Sequence, residues 1–491
     1  RPPRSTLFPY TTLFRSYKRF FDIHLASIKA PSLFLPEKIR SNEWEHGIWK
    51  GHSPLIDKYS AAENGGFLLP LHLGWYGNST WNPPQGEPTF TDDVEYLCCK
   101  MTGNNAGLAM LGGVDKKTIE ANPAYERLIS IIKQYEELRH KNYFNDTVRA
   151  LLRQPGKEYT LFKEQDGDWN FKPVRYAKHK VADNKHPSAE WSVNNEYGEQ
   201  ALKLRIELLM SVRKYDDPGN VVIADFSDSC EFINKNAADG VSGGIRVSSG
   251  TIKNELSGTF YAQSDGLSPQ EGSWIKMEKA FDPWLNLSKN QALGVWVCGD
   301  GNGELLNLRL ESPHQFSHGA RGDHFIKIDF KGWKYFELVE IESSEFSNYI
   351  WPDESQFYVY NSYMHSVRFE SIDKLQLWYN NIPKDRVVSC HIGPVKALPM
   401  IPVAIENPSI SVGKEKISFP VRMESGMYLE FRSGSDSKLY GSKGEFIKDI
   451  PVHGNIPLIK NGRNDISFDC NTNSETSSRV RVTVITEGNP L

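Results

Sequence analysis

No apolar run in these 491 residues approaches the roughly 20 that cross a membrane as a helix. Charge of one sign is also missing. Lys and Arg number 57 against 61 Asp and Glu, a net charge of -4, which argues against the clustered basic footprint of a nucleic-acid binder. Cysteine is sparse. Cys98, Cys99, Cys230, Cys298, Cys390 and Cys470 form no C-x-x-C pair and no zinc-ligand spacing, so neither a disulfide framework nor a zinc site is indicated. The G-x-S-x-G, H-E-x-x-H, P-loop and Rossmann fingerprints are absent. Serine hydrolase, zinc peptidase, kinase and dehydrogenase readings fall with them.

Aromatic side chains are plentiful: 12% of residues, with 12 Trp. Flat rings with polar edges suit sugar-binding surfaces, because the C–H groups of a pyranose face pack on them; most rings in any protein serve the core instead. Residues 6–16 read Thr-Leu-Phe-Pro-Tyr-Thr-Thr-Leu-Phe-Arg-Ser. That string resembles the in-frame translation of a common sequencing adapter. Residues 1–16 are therefore expected to be a non-native tail outside the fold, with the natural protein entering near Tyr17 and continuing upstream.

The expected architecture is multidomain, α/β followed by all-β. In 17–144, short apolar runs at 31–36, 67–75 and 107–112 fit buried parallel strands. A helix is predicted over 91–103, opened by a capping box of Asp92 with Glu95 and closed by Gly103. A second starts at Pro123, with Leu128, Ile131, Ile132, Tyr135 and Leu138 on one face. Strand-helix alternation of this kind predicts the C-terminal part of a (β/α)8 barrel of the TIM type. Residues 145–215 read as a small β unit packed on that barrel, with a hairpin about Asp166-Gly-Asp168 and an alternating run at 201–208. Residues 216–402 alternate with period two, as in Leu306, Leu308 and Leu310, and predict a β-sandwich. A smaller sandwich is expected over 403–491, with Val480, Val482 and Val484 on one face.

The stretch Gly294-Val-Trp-Val-Cys-Gly-Asp-Gly-Asn-Gly-Glu-Leu-Leu-Asn-Leu-Arg-Leu, followed by Asp323-His-Phe-Ile-Lys-Ile-Asp-Phe-Lys-Gly-Trp-Lys-Tyr-Phe-Glu-Leu, carries a resemblance. It is similar to galactose-binding-like jelly rolls, most of all the carbohydrate-binding modules appended to bacterial glycoside hydrolases. The resemblance implies sugar binding, with Trp274, Trp284 and Trp333 as platforms. The turn Asp300-Gly-Asn-Gly-Glu304 has oxygen ligands of the kind calcium takes, but a plain hairpin is the first reading of it. No other cofactor or metal is expected.

Residues 17–144 resemble the end of a glycoside-hydrolase barrel. Such enzymes hold their sites at the C-terminal ends of the strands. The loop Ser41-Asn-Glu-Trp-Glu-His-Gly-Ile-Trp-Lys-Gly-His52 follows the 31–36 run and gathers two carboxylates, two imidazoles and two indoles. Glycoside cleavage needs a carboxylic acid and a carboxylate. Glu43, Glu45 and His46 are therefore the expected catalytic residues. Trp44, Trp49, His72, Trp75, Tyr76 and Trp333 are the expected substrate contacts. One departure stands out: the 67–75 run ends in Gly-Trp-Tyr with no carboxylate. The resemblance implies part of an exported bacterial glycoside hydrolase, secreted, periplasmic or at the cell surface, that binds a carbohydrate and neither nucleic acid nor a membrane. A non-catalytic glycan-binding scaffold and a polysaccharide lyase are the other readings.

Overall fold

The computed structural model describes residues 72–491, apart from 77, 79, 82–87, 111–114, 155, 229–230, 253–254, 314–319, 340–366 and 473–476. The tail at 1–16 and the run at 31–36 lie outside the described residues.

Period-two alternation builds the first β-sandwich. Leu306, Leu308 and Leu310 of strand Glu304–Ser312 turn inward with Ile326 and Ile328 of Ala320–Ile328 and with Leu375, Leu377 and Tyr379 of Ile372–Asn380. Their five-stranded sheet runs Ile233–Ala237, Ile275–Leu285, Ile372–Asn380, Glu304–Ser312, Ala320–Ile328. Facing it is a sheet ordered Val241–Ile252, Glu255–Ser264, Val387–Ile392, Ala292–Asp300, Val395–Leu398, Val221–Ala224, with Lys331–Leu338 also paired to Ala292–Asp300. Phe260, Val295, Val297, Val388 and Ile392 close the core from that side. Inner faces that interdigitate across one apolar layer define a sandwich. The chain passes repeatedly from one sheet to the other, so strands that pair are often far apart in sequence. This is the jelly roll expected from the alternation.

The second sandwich joins distant segments. One sheet runs Phe446–Asp449, Asp436–Tyr440, Tyr428–Ser433, Lys203–Leu208, Val480–Glu487, Trp169–Val181, Glu158–Lys163; strand Glu190–Asn195 pairs into the opposite sheet beside Gly462–Asn471. Val480, Val482 and Val484 face this core, as expected. The strands of 145–215 are thus not a separate unit packed on a barrel. They supply both sheets of the C-terminal sandwich.

The expected barrel is corrected outright. Among the described residues there is one parallel pair, His72–Tyr76 with Gly107–Met110, connected through helix Thr91–Asn104. A barrel needs a closed run of such units, and nearly all the other strands pair antiparallel. Helices Thr91–Asn104, Ala124–His140 and Asp146–Arg153 cover the outer face of the Lys203–Leu208 sheet instead, sharing a core with Tyr159 and Phe171. The predicted helix at 91–103 is present, but it is entered differently. The Phe90 N–H donates to Asp93 Oδ2 at 2.8 Å, while Asp92 is buried 2.7 Å from Arg205. An acid near a helix N-terminus is favoured by the dipole; here it also ties the helix to the sheet.

Candidate functional site

Glu43, Trp44, Glu45, His46 and Trp49 lie outside the described residues. His72, Trp75 and Tyr76 share one strand, opposite Gly107, Ala109 and Met110 respectively, with an irregularity between His72 and Trp75. Of the three tryptophans the resemblance singles out, Trp274 is only 8% exposed and packs on Trp378, with ring centroids 5.2 Å apart. It is a packing residue. Trp284 is 60% exposed, on strand Ile275–Leu285 within the stretch of irregular pairing between Ala280 and Leu285. Trp333 is half-buried on strand Lys331–Leu338.

Trp333 belongs to an ordered row. Leu293, Val295 and Val297 point into the core, so Cys298 on the same strand points out. Register then sets Trp333 opposite Cys298, Cys298 opposite His391, His391 opposite Thr259, and Thr259 opposite Arg246. Five strands contribute one side chain each. At roughly 4.8 Å per strand the row is about 19 Å long. The rings of Trp333 and His391 lie 6.3 Å apart. Thr259 Oγ1 and Ser248 Oγ are 3.0 and 3.4 Å from His391 Nδ1. Arg246 is exposed, with its guanidinium 5.3 Å from the Tyr261 ring. The row therefore offers ring faces, an imidazole and a guanidinium, with Arg246 exposed, Trp333, Cys298 and His391 part-buried, and Thr259 buried beneath His391. Sequence reasoning found Trp333 and missed His391, Tyr261 and Arg246. The only local signal was alternation in Val387–Ile392, where Val388, Cys390 and Ile392 mark the core side.

The outer face of the five-stranded sheet is also polar and aromatic, but closed. Arg309, 1% exposed, lies 2.6 Å from Asp323 Oδ1, and its guanidinium sits 4.8 Å from the Trp378 ring. Asn307 donates to Asp323 at 2.8 Å. Trp378 Nε1 donates to Gln376 Oε1 at 2.9 Å, and Gln376 donates to Glu278 at 2.8 Å. Burial pushes the Asp323 carboxyl up, but Arg309, Arg321 and hydrogen bonds from Arg309 and Asn307 outweigh it and hold it at about 2. A network buried to this degree rigidifies a sheet.

A cavity of about 180 Å³ lies beside the helical layer, lined among others by Glu95, Tyr176, Lys203, Arg205, Arg432 and Glu487. Burial pushes the Glu95 carboxyl up to about 7, against hydrogen bonds from Leu161 and Thr160, the charge of Arg432 and a hydrogen bond from Tyr135. Lys203 pairs with Glu487 at 2.8 Å. Among the described residues no group of three or more His, Cys, Asp or Glu is placed to hold a metal, and no helix is long and apolar enough to cross a membrane.

No protein-family model matches the chain, and no curated protein matches its sequence. Among solved structures, a family 11 carbohydrate-binding module from Clostridium thermocellum, in complex with a β-1,3-1,4-mixed-linked tetrasaccharide, aligns at 13% identity over 38% of this chain and 97% of its own, with a TM-score of 0.26. A carbohydrate-binding module studied for specific mannan recognition aligns at 13% identity over 37% of this chain and 98% of its own, with a TM-score of 0.21. An exo-β-agarase aligns at 10% identity over 36% of this chain but 25% of its own length, with a TM-score of 0.23.

Proposed function

We propose that the jelly roll binds an extended glycan along the Trp333–Cys298–His391–Thr259–Arg246 row. The observation that carries this reading is the row itself: five side chains in register across five strands, ring faces at one end and a guanidinium at the other. Sugar C–H faces stack on indole and imidazole, while hydroxyls exchange hydrogen bonds with Arg246; the buried Thr259 and Ser248 hydroxyls hold the His391 ring in place through Nδ1. Cys298 and Thr259 are small, so a chain of sugars can lie low over the middle.

Affinity electrophoresis of the full chain through gels containing soluble polysaccharides tests the reading. At least one should retard the protein. Trp333→Ala removes the main ring contact, worth roughly 2 kcal/mol or about thirtyfold in affinity. Retardation by none of a broad panel, or undiminished retardation of the variant, overturns it.

A catalytic role for a longer exported protein is a second reading. It rests on the Glu43-Trp-Glu-His46 string, which pairs carboxylates with rings as glycoside hydrolysis requires. Glu43→Gln and Glu45→Gln in that protein should each cut turnover by orders of magnitude; two fully active variants would remove it.

A further inference from the structure

Register maps the outer face around the row as well as the row itself. Residues two apart on a strand share a face. Lys331 therefore lies on the face of Trp333, and Asp300, two residues from Cys298, stands opposite Lys331. On the other side of the row Tyr335 is opposite Trp296, and Ser257 is opposite Ser248. Arg246 closes the row on strand Val241–Ile252, at the edge of the sheet.

The acids and the cations of this face differ in what they have left to offer. Asp300 accepts the Asn302 N–H on Oδ1 at 3.1 Å and the Ser389 N–H on Oδ2 at 3.2 Å. Glu255 accepts from Lys396 Nζ on Oε1 at 2.8 Å and from the Tyr215 hydroxyl on Oε2 at 3.4 Å. Glu337 is four residues beyond Trp333 on the same strand, opposite Gly294 and away from the row. Arg246 and Lys331, by contrast, are both exposed, and neither forms an ion pair among the described residues. The chain as a whole carries a net charge of -4, so any attraction for an anion here is a property of this face and not of the protein's total charge.

Donors and acceptors then give the ligand its chemistry. Guanidinium and ammonium groups only donate. The Thr259 and Ser248 hydroxyls are spent on His391 Nδ1, which leaves only Nε2 of that ring to meet a ligand. The row itself holds neither carboxylate nor amide. Neutral sugar hydroxyls donate as well as accept, so a site built for them needs acceptors. Sulfate and carboxylate groups only accept, and two of their oxygens match the fork of a guanidinium. We infer that the glycan taken along this row is acidic, its sulfate or carboxylate groups held by Arg246 at one end and by Lys331 near Trp333 at the other. This rests on the glycan reading above and narrows it. Arg246 lies about 19 Å from Trp333 across the strands, and Lys331 roughly 7 Å from it along one strand, so the rings grip sugar between two cations.

The test is calorimetric titration of the full chain with a carrageenan, which carries sulfate esters, with alginate, which carries uronate carboxylates, with a neutral galactomannan, and with polyglutamate, a polyanion without sugar. At least one acidic glycan should bind about tenfold tighter than the galactomannan, and which one does so identifies the anion. Raising NaCl from about 0.05 to about 0.5 M should weaken that binding. Arg246→Gln should lower affinity for the acidic glycan about tenfold and leave the melting temperature unchanged, because the side chain is exposed. Arg246→Lys should recover only part of the loss, since it restores the charge without the fork. Trp333→Ala should weaken the same binding. Galactomannan bound as tightly as either acidic glycan, with Arg246→Gln indifferent, overturns the inference and leaves the row a site for neutral glycans. Polyglutamate bound as tightly as the acidic glycan, with Trp333→Ala indifferent, overturns it as bare charge attraction. Heat from none of the polymers removes the glycan reading itself and this inference with it.

Discussion

Replacing Glu95 by glutamine should make the protein more stable at pH 8 and leave it unchanged at pH 4.5. Glu95 sits on helix Thr91–Asn104, where Oε1 accepts from the Leu161 N–H at 3.1 Å and the Tyr135 hydroxyl at 3.3 Å, and Oε2 accepts from Thr160 Oγ1 at 2.9 Å. Burial outweighs these bonds and lifts the carboxyl from its ordinary 4.5 to about 7. Below pH 4.5 folded and unfolded chains both hold the proton, and stability is at its full value. Between 4.5 and 7 the unfolded chain gives it up first, so stability falls as pH rises. At about 1.4 kcal/mol per pH unit the loss by pH 8 is roughly 3 kcal/mol. Glutamine does not titrate. Its carbonyl can take the Leu161 and Tyr135 bonds, and its amide can face Thr160, whose hydroxyl turns to accept. The assay is amide hydrogen exchange of helix Thr91–Asn104, native against variant at each pH. At pH 8 the variant's opening equilibrium should be lower by about 300-fold, and at pH 4.5 the two should agree. A variant less protected than the native chain by the same factor at both pH values would refute the reasoning, because Glu95 would then be ionised and stabilising throughout.

Asp323→Leu strands the buried Arg309 charge and should destabilise the jelly roll by roughly 3–5 kcal/mol in urea unfolding, while adding Arg309→Met should recover most of the loss. Because the Asp323 carboxyl is held at about 2 rather than 3.8, the native pair should contribute roughly 2.5 kcal/mol above pH 4 that disappears as pH falls towards 2. Cys298 lies between Trp333 and His391 and is half-buried, whereas Cys98, Cys99 and Cys390 are buried. Iodoacetamide followed by peptide mapping should therefore modify Cys298 ahead of those three, and a retained polysaccharide should protect it; labelling unaffected by a bound glycan would remove the glycan from that row. Trp274→Phe, a change behind the sheet network, should lower stability and leave polysaccharide retardation as it was.

What the sequence made legible was local. Leu306, Leu308 and Leu310 announce a strand with one buried face, and the Asp166-Gly-Asp168 turn announces the hairpin of Glu158–Lys163 with Trp169–Val181. What it hid was partnership. Lys203–Leu208 reads as a half-exposed strand, but nearly all of its residues are buried, because helix Thr91–Asn104 covers the outer face. Arg205 and Glu207 occupy that covered face, and their presence looks like solvent exposure until Asp92 is placed 2.7 Å from Arg205. The same blindness produced the barrel. A short apolar run beside an amphipathic helix fits a parallel strand, and the register of Val480–Glu487 against Trp169–Val181, some three hundred residues apart, leaves no trace in either segment. The row proposed for a glycan is the extreme case. Trp333, Cys298, His391, Thr259 and Arg246 come from five strands that follow no sequential order, so no window of sequence contains more than a fragment of it. A binding surface assembled by sheet register becomes readable only when the register is known, whereas a string such as Glu43-Trp-Glu-His46 is written contiguously. For that reason the 43–46 string dominates a reading of the sequence, while the row proposed for a glycan leaves no contiguous trace in it.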